Sequence, residues 1–167
     1  MKILVNTQTQ LLQAGGRDIR CAIGKNGCVP AAKGREGDGK TPLGCYPIRF
    51  GLYRPDRISL PATGLVFHAL EPEDGWCDAP DDPAYNRFVR LPHAASAEKL
   101  WRESPVYDVI VILGHNDSPA VPGLGSAIFL HIARDNYQPT EGCVAIARED
   151  MLALLPGLTA HSRMDIV

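Results

Sequence analysis

The chain has 167 residues, 45% hydrophobic and 22% charged, with a formal net charge of −2. These values suit one globular domain, residues 1–167, with a hydrophobic core. Scattered Lys and Arg in a mildly acidic chain give no basis for binding nucleic acid or an anionic membrane surface.

Sixteen glycines and fourteen prolines indicate many turns, hence a β-rich fold with long loops rather than a helical bundle. Met1 to Gln10 holds only three consecutive apolar residues, short of the roughly 7–15 that a secretory leader needs. No run approaches the ~18 apolar residues of a membrane span. Five cysteines, Cys21, Cys28, Cys45, Cys77 and Cys143, are odd in number and lack CxxC spacing. That argues against a disulfide framework or a zinc ribbon and suits a reducing cytosol, so a cytoplasmic location is expected.

Lys2 to Val5 and Asp18 to Ile23 read as strands on either side of the Gly15-Gly16 turn. Residues 24–44 read as loop. Their glycines lack the GxxxxGK[ST] order, and Thr41-Pro42 would break the helix that a phosphate-binding loop must open. Tyr46 to Leu52 and Gly64 to Leu70 are further strand candidates. Residues 71–86 place Glu71, Glu73, Asp74, Asp78, Asp81 and Asp82 around Trp76 and Cys77. The stretch reads either as a solvated surface loop or as a flap whose carboxylates meet a substrate ammonium group. Its acidic spacing does not fit a calcium loop.

Ser96 to Arg102 reads as a short helix with Ser96 as N-cap. Tyr107 to Leu113 is the strongest strand, apolar enough to be covered on both faces. It delivers Gly114-His115-Asn116-Asp117 at its end, and His115 suits either a substrate contact or a hydrogen-bonded loop residue. Ser126 to Ile132 is a second core strand, carrying His131. Met151, Leu154 and Leu155 lie at helical spacing within residues 147–155, Pro156-Gly157 stops that helix, and Met164 to Val167 forms a last strand.

His131 ends an apolar run and Cys143 follows twelve positions later, behind Gly142. A thiol is mostly protonated at neutral pH and its thiolate is the reactive form, so an imidazole that takes the proton makes a nucleophile of it. Gly142 permits a tight turn that leaves amide N–H groups free for an oxyanion, and a side chain there would obstruct substrate. The bland alternative makes Cys143 a small buried hydrophobe and His131 a hydrogen-bonded core residue.

Three separated segments then coincide: Gly37-Asp38-Gly39-Lys40-Thr41-Pro42-Leu43-Gly44, Ser126 to His131, and Thr140-Glu141-Gly142-Cys143-Val144. In this order they resemble the catalytic domain of the YkuD-type L,D-transpeptidases, in particular a cytoplasmic L,D-carboxypeptidase-like subgroup. The resemblance implies a mainly antiparallel β fold with a few short helices. It implies Cys143 as nucleophile, His131 as proton shuttle and Gly142, Thr140 and Glu141 as support for the oxyanion. Peptidoglycan stem peptides or muropeptides would be the partners, cut between a diamino acid and D-alanine, with no cofactor and no metal ligand. His115, Asn116, Trp76 and Arg134 are the candidate substrate contacts, Trp76 because Gly75-Trp76-Cys77-Asp78 is similar to a subgroup of the family.

The sequence departs from the family's fuller S-H-G-C-hydrophobic-R signature at two positions, with Glu141 in place of His and Ala145 in place of Arg. A carboxylate at 141 would raise the thiol pKa unless it points away or pairs with a cation. Arg134 and Arg148 are the candidates to replace the missing arginine. Water as acceptor gives tetrapeptide-to-tripeptide trimming in murein recycling, and an amine gives a 3→3 crosslink or D-amino acid exchange; the expected location favours water. The reading from another class is a non-catalytic module in which His115, His131, Glu141 and Cys143 hold a metal. A papain-like protease lacks support, because the histidine precedes the cysteine.

Overall fold

The computed structural model describes residues 1–167 and is predominantly β. The strands are β1 (Lys2–Asn6), β2 (Leu11–Ala14), β3 (Arg17–Ala22), β4 (Cys28–Pro30), β5 (Thr41–Tyr53), β6 (Phe67–Ala69), β7 (Asp74–Cys77), β8 (Phe88–Arg90), β9 (Ala97–Lys99), β10 (Val109–Leu113), β11 (Phe129–Ile132), β12 (Val144–Ile146) and β13 (Arg163–Ile166). One α-helix, α1 (Arg148–Leu154), follows β12 and runs into a 3-10 turn at Leu155–Gly157, where the proline and glycine end it.

Ten strands make one sheet in the order β10-β11-β12-β3-β2-β1-β13-β5-β4, with β6 beside β5. The thirteen-residue β5 pairs with β13 near its start and with β10 further along, so the sheet closes on itself. Closure hides the edges that would otherwise seek partners. Eight of the twelve strand pairings are antiparallel. A second, three-stranded sheet, β8-β7-β9, lies apart.

The period-two alternation of strand side chains sorts the apolar residues into two cores. Val109, Val111 and Leu113 of β10, Leu130 and Ile132 of β11, and Val144 and Ile146 of β12 join the larger cluster with Ile3, Leu12 and Met151. Ile110, Ile112 and Phe129 face the other way and pack with Trp76 of the small sheet, with Leu100 just after it, and with Val106 and Tyr107 of the 3-10 turn that precedes β10. Cys143 belongs to this second cluster. The active-site candidates therefore lie on the outer face of the closed sheet, under the small one.

Several expectations need correction. The Gly15-Gly16 turn joins β2 to β3 rather than β1 to β3, and both glycines take the positive φ of a two-residue hairpin loop. Residues 24–44 are not all loop, since β4 runs parallel to the first residues of β5. Only Phe67–Ala69 of the stretch 64–70 is strand. Ser126 to Ile128 stay outside β11, with Ala127 at φ +52°.

Ser96 to Arg102 is not helical: Ala97–Lys99 is β9, paired antiparallel with β7. A seven-residue helix nucleates at a high cost, whereas pairing with β7 satisfies backbone groups at once. The acidic stretch is a solvated loop only in part: Glu71, Glu73 and Asp81 are exposed, but all four residues of β7 are buried at the centre of the small sheet. Burial of Asp74 is tolerated because Arg90 pairs with it and the Glu71 N–H donates to it at 2.7 Å.

Candidate active site

β11 and β12 are parallel neighbours, with Leu130 opposite Val144 and His131 opposite Ala145. Residues two apart share a face of a strand, so the Cys143 side chain projects from the same face as Ala145 and thus as His131. Both open into one cavity of about 400 Å³. The Cys143 thiol donates to the Ala127 carbonyl at 3.1 Å, and the Phe129 N–H reaches Sγ at 3.4 Å. His131 Nδ1 lies 2.9 Å from the carbonyl of Ile132. A carbonyl can only accept, so Nδ1 carries the proton and Nε2 keeps the lone pair of a base. The Tyr107 ring meets the imidazole edge-on at 5.3 Å and fixes its plane.

Burial pushes the Cys143 thiol up to about 12, with a further contribution from the Glu98 carboxylate. Burial also pulls His131 down to about 4, partly opposed by the Ile132 carbonyl. At neutral pH the pair therefore rests uncharged, as thiol and imidazole. Glu98 accepts from Tyr107 Oη at 2.8 Å and pairs with Arg102 at 2.6 Å. This small network lines the same cavity as the thiol.

A tight turn presents the cysteine. Thr140 Oγ1 donates to the Cys143 carbonyl at 2.6 Å and accepts from the Gly142 N–H at 3.1 Å. Gly142 has φ +142°, and a Cβ on it would stand 2.9 Å from the Lys40 carbonyl. The glycine is thus required by the backbone behind it rather than by the approach of substrate. Lys40 belongs to the glycine-rich segment 37–44, whose Thr41 is fully buried and accepts the Gly24 N–H at 2.8 Å. Gly24 in turn bridges to Thr140. The segment therefore buttresses the cysteine turn from behind.

The model of the YkuD L,D-transpeptidase catalytic domain matches residues 1–166. The chain belongs to that family. It is similar in structure to an L,D-transpeptidase from Xylanimonas cellulosilytica, at 13% identity and a TM-score of 0.48, over 99% of this chain and 59% of that one. L,D-transpeptidase 3 from Mycobacterium tuberculosis, in complex with a faropenem-derived adduct, is similar at 12% identity and 0.45, over 99% and 59%. L,D-transpeptidase 1 from the same organism follows at 11% and 0.42, over 99% and 60%. The chain spans about three-fifths of the length of these structures. No curated protein sequence matches it.

The remaining expected contacts of this YkuD domain divide into two groups. Thr140, Glu141 and Arg134 line the cavity. Glu141 is mostly exposed and pairs with Lys25 at 2.8 Å, and the carboxylate acting on the thiol is Glu98 instead. Arg134 stands free of any ion pair at the rim, whereas Arg148 is committed to Asp108 and the Arg57 carbonyl.

His115, Asn116 and Trp76 are not on the cavity wall. His115 is buried edge-on against Tyr46 and lines a much smaller pocket that adjoins the cavity through Ser126, Ile128 and Glu141. Asn116 braces its loop through the Val121 and Gly125 carbonyls. Trp76 packs behind the cysteine on Phe129, its Nε1–H donating to Asn86 at 2.9 Å. The four residues weighed as a metal set are accordingly not gathered in one place. Asp78 is the one carboxylate of residues 71–86 that reaches the cavity.

Sequence reasoning missed Glu98, Arg102, Tyr107 and Glu36 on the cavity wall. The four-residue spacing of Glu98 and Arg102 was legible, but it points equally to a helix.

Proposed function

We propose that this YkuD domain is a cysteine-dependent L,D-carboxypeptidase that removes D-alanine from a peptidoglycan tetrapeptide, with water as acceptor. The observation that carries the chemistry is the shared face of β11 and β12, from which Cys143 and a His131 of fixed tautomer open into one cavity.

Because the pair rests neutral, proton transfer accompanies bond formation. The Cys143 proton moves to His131 Nε2 as sulfur adds to the carbonyl carbon of the diamino acid, and the carbonyl electrons pass to oxygen. With the Gly142 N–H engaged by Thr140, the Cys143 amide is the turn's donor for that oxyanion. Collapse breaks the C–N bond and the imidazolium proton goes to the departing D-alanine amine. Water then adds to the thioester, giving a proton to His131, and the sulfur leaves as thiol. A well-placed base of this kind contributes ~10²–10⁴-fold.

Arg134 suits the terminal carboxylate of the peptide. Asp78, whose Oδ1 is buried without a hydrogen-bond partner, suits the ammonium group of the diamino acid. A cavity of about 400 Å³ has room for the end of a stem peptide. The five cysteines are all free, two of them exposed, which supports a reducing compartment, the cytoplasm, where soluble muropeptides are recycled.

Mixing the protein with a free tetrapeptide and reading products by mass spectrometry tests the proposal. Tripeptide plus D-alanine, with a transient acyl adduct on Cys143, is expected. Crosslinked dimer without tripeptide would show an L,D-transpeptidase that makes 3→3 links instead.

A further inference from the structure

Three ligand-type side chains meet on the small sheet at a place that acyl transfer does not use. Cys77 ends β7 with its side chain buried, Asp82 lies in the turn that follows, and His93 lies in the segment between β8 and β9. One atom from each, the thiol sulfur, a carboxylate oxygen and a ring nitrogen, lie within 4.8 Å of one another.

His93 Nε2 stands 3.4 Å from Asp82 Oδ2. It is buried and makes no hydrogen bond. That separation is long for an N–H···O bond, whose usual distance is about 2.9 Å. It matches two ligands of a tetrahedral ion held at 2.0–2.3 Å, which sit about 3.3–3.8 Å apart.

Thiolate, imidazole and carboxylate are all zinc ligands, and three protein ligands leave a fourth position for water. One thiolate and one carboxylate also neutralise a divalent cation, so the assembled site buries no net charge.

We propose that Cys77, Asp82 and His93 form a binding site for one zinc ion. On binding, the Cys77 S–H proton leaves to solvent, a sulfur–zinc bond forms, and nothing is oxidised or reduced. The ion would tie the end of β7 to the Asp82 turn and to the β8–β9 connection. Main-chain bonds already join the end of β7 to the start of β8, Cys77 N–H to Arg87 O and Asn86 N–H to Cys77 O, both 2.9 Å, and to the β8–β9 connection, Asp78 N–H to Ser96 O at 3.3 Å. Asp78, next in the chain, lines the catalytic cavity, so the site would anchor that wall.

The test is metal titration of the full chain after treatment with a chelator, with zinc followed by calorimetry and cobalt(II) followed by absorbance. One equivalent per chain is expected, with about one proton released and a thiolate-to-cobalt charge-transfer band. Cys77→Ser removes the band. His93→Gln, at a partly exposed position, weakens zinc binding by more than ~100-fold, beyond the 10–100-fold cost of losing an outer partner, while circular dichroism stays unchanged. Cys143→Ala keeps both metal and band, which separates this site from the catalytic thiol. Absence of stoichiometric binding, or binding retained in both Cys77→Ser and His93→Gln, overturns the proposal.

Discussion

Glu98 is the carboxylate that acts on Cys143, although it lies 45 positions earlier in the chain and Glu141 is only two away. After burial, it is the strongest influence raising the thiol, and Arg102 counters it only in part. Glu98→Gln keeps the polar contacts of Tyr107 and Arg102 while removing the charge. The pH at which Cys143 begins to be alkylated should fall, and modification followed by mass across a pH series measures it. An unchanged onset would remove Glu98 from the account.

The same burial governs which thiol reacts first. Cys28 and Cys45 are exposed, while Cys143 is buried and pushed up to about 12. Iodoacetamide at neutral pH should label Cys28 and Cys45 well before Cys143, whereas a tetrapeptide should acylate Cys143 alone. Peptide mapping distinguishes the two patterns. A Cys143 that alkylates fastest in the free protein would mean that the resting pair is already ionised.

His131 gives a pH signature in stability. Its folded pKa of about 4 lies below the ordinary 6.5, so between these values the unfolded chain binds the proton more readily. The contribution is complete above pH 6.5 and is lost as pH falls towards 4, amounting to ~3 kcal/mol at about 1.4 kcal/mol per unit. Denaturant unfolding at pH 7 and pH 4.5 measures the loss. His131→Gln should flatten the difference.

Gly142→Ala tests the support behind the cysteine turn. A methyl group would meet the Lys40 carbonyl at 2.9 Å in a backbone conformation that L residues rarely adopt. A loss of ~1–3 kcal/mol is expected, or a Tm lower by roughly 3–10 °C, measured by calorimetry. Turnover should fall with it, since the turn positions the sulfur.

Much of the closed sheet was legible because β10 and β11 announce themselves as short apolar runs between turn residues. Cys143 and His131 were legible for a chemical reason, a thiol behind glycine and an imidazole at a strand end. The small sheet was not. Its strand β7 reads Asp-Gly-Trp-Cys, two residues poor in β-propensity, and is buried only because Arg90 neutralises Asp74 and β9 covers its edge. Ser96 to Arg102 looked helical because Ser96 suits an N-cap, whereas pairing of Ala97–Lys99 with β7 decides the conformation. His115 and Asn116 followed the strongest strand, but no local pattern tells that Tyr46 would take the imidazole or that Asn116 would turn inward to hold its loop.

Delivery of nucleophile and base by adjacent parallel strands has an evolutionary corollary. The register of Leu130 with Val144 and His131 with Ala145, together with the Thr140–Gly142 turn, holds the reacting atoms, whereas the connection over residues 134–139 lies outside that frame. That connection carries Arg134, Gln138 and Pro139 to the cavity rim. It can be rewritten, lengthened or exchanged to suit a different peptide while the reaction itself stays intact, so preference and reactivity are free to diverge separately within this architecture.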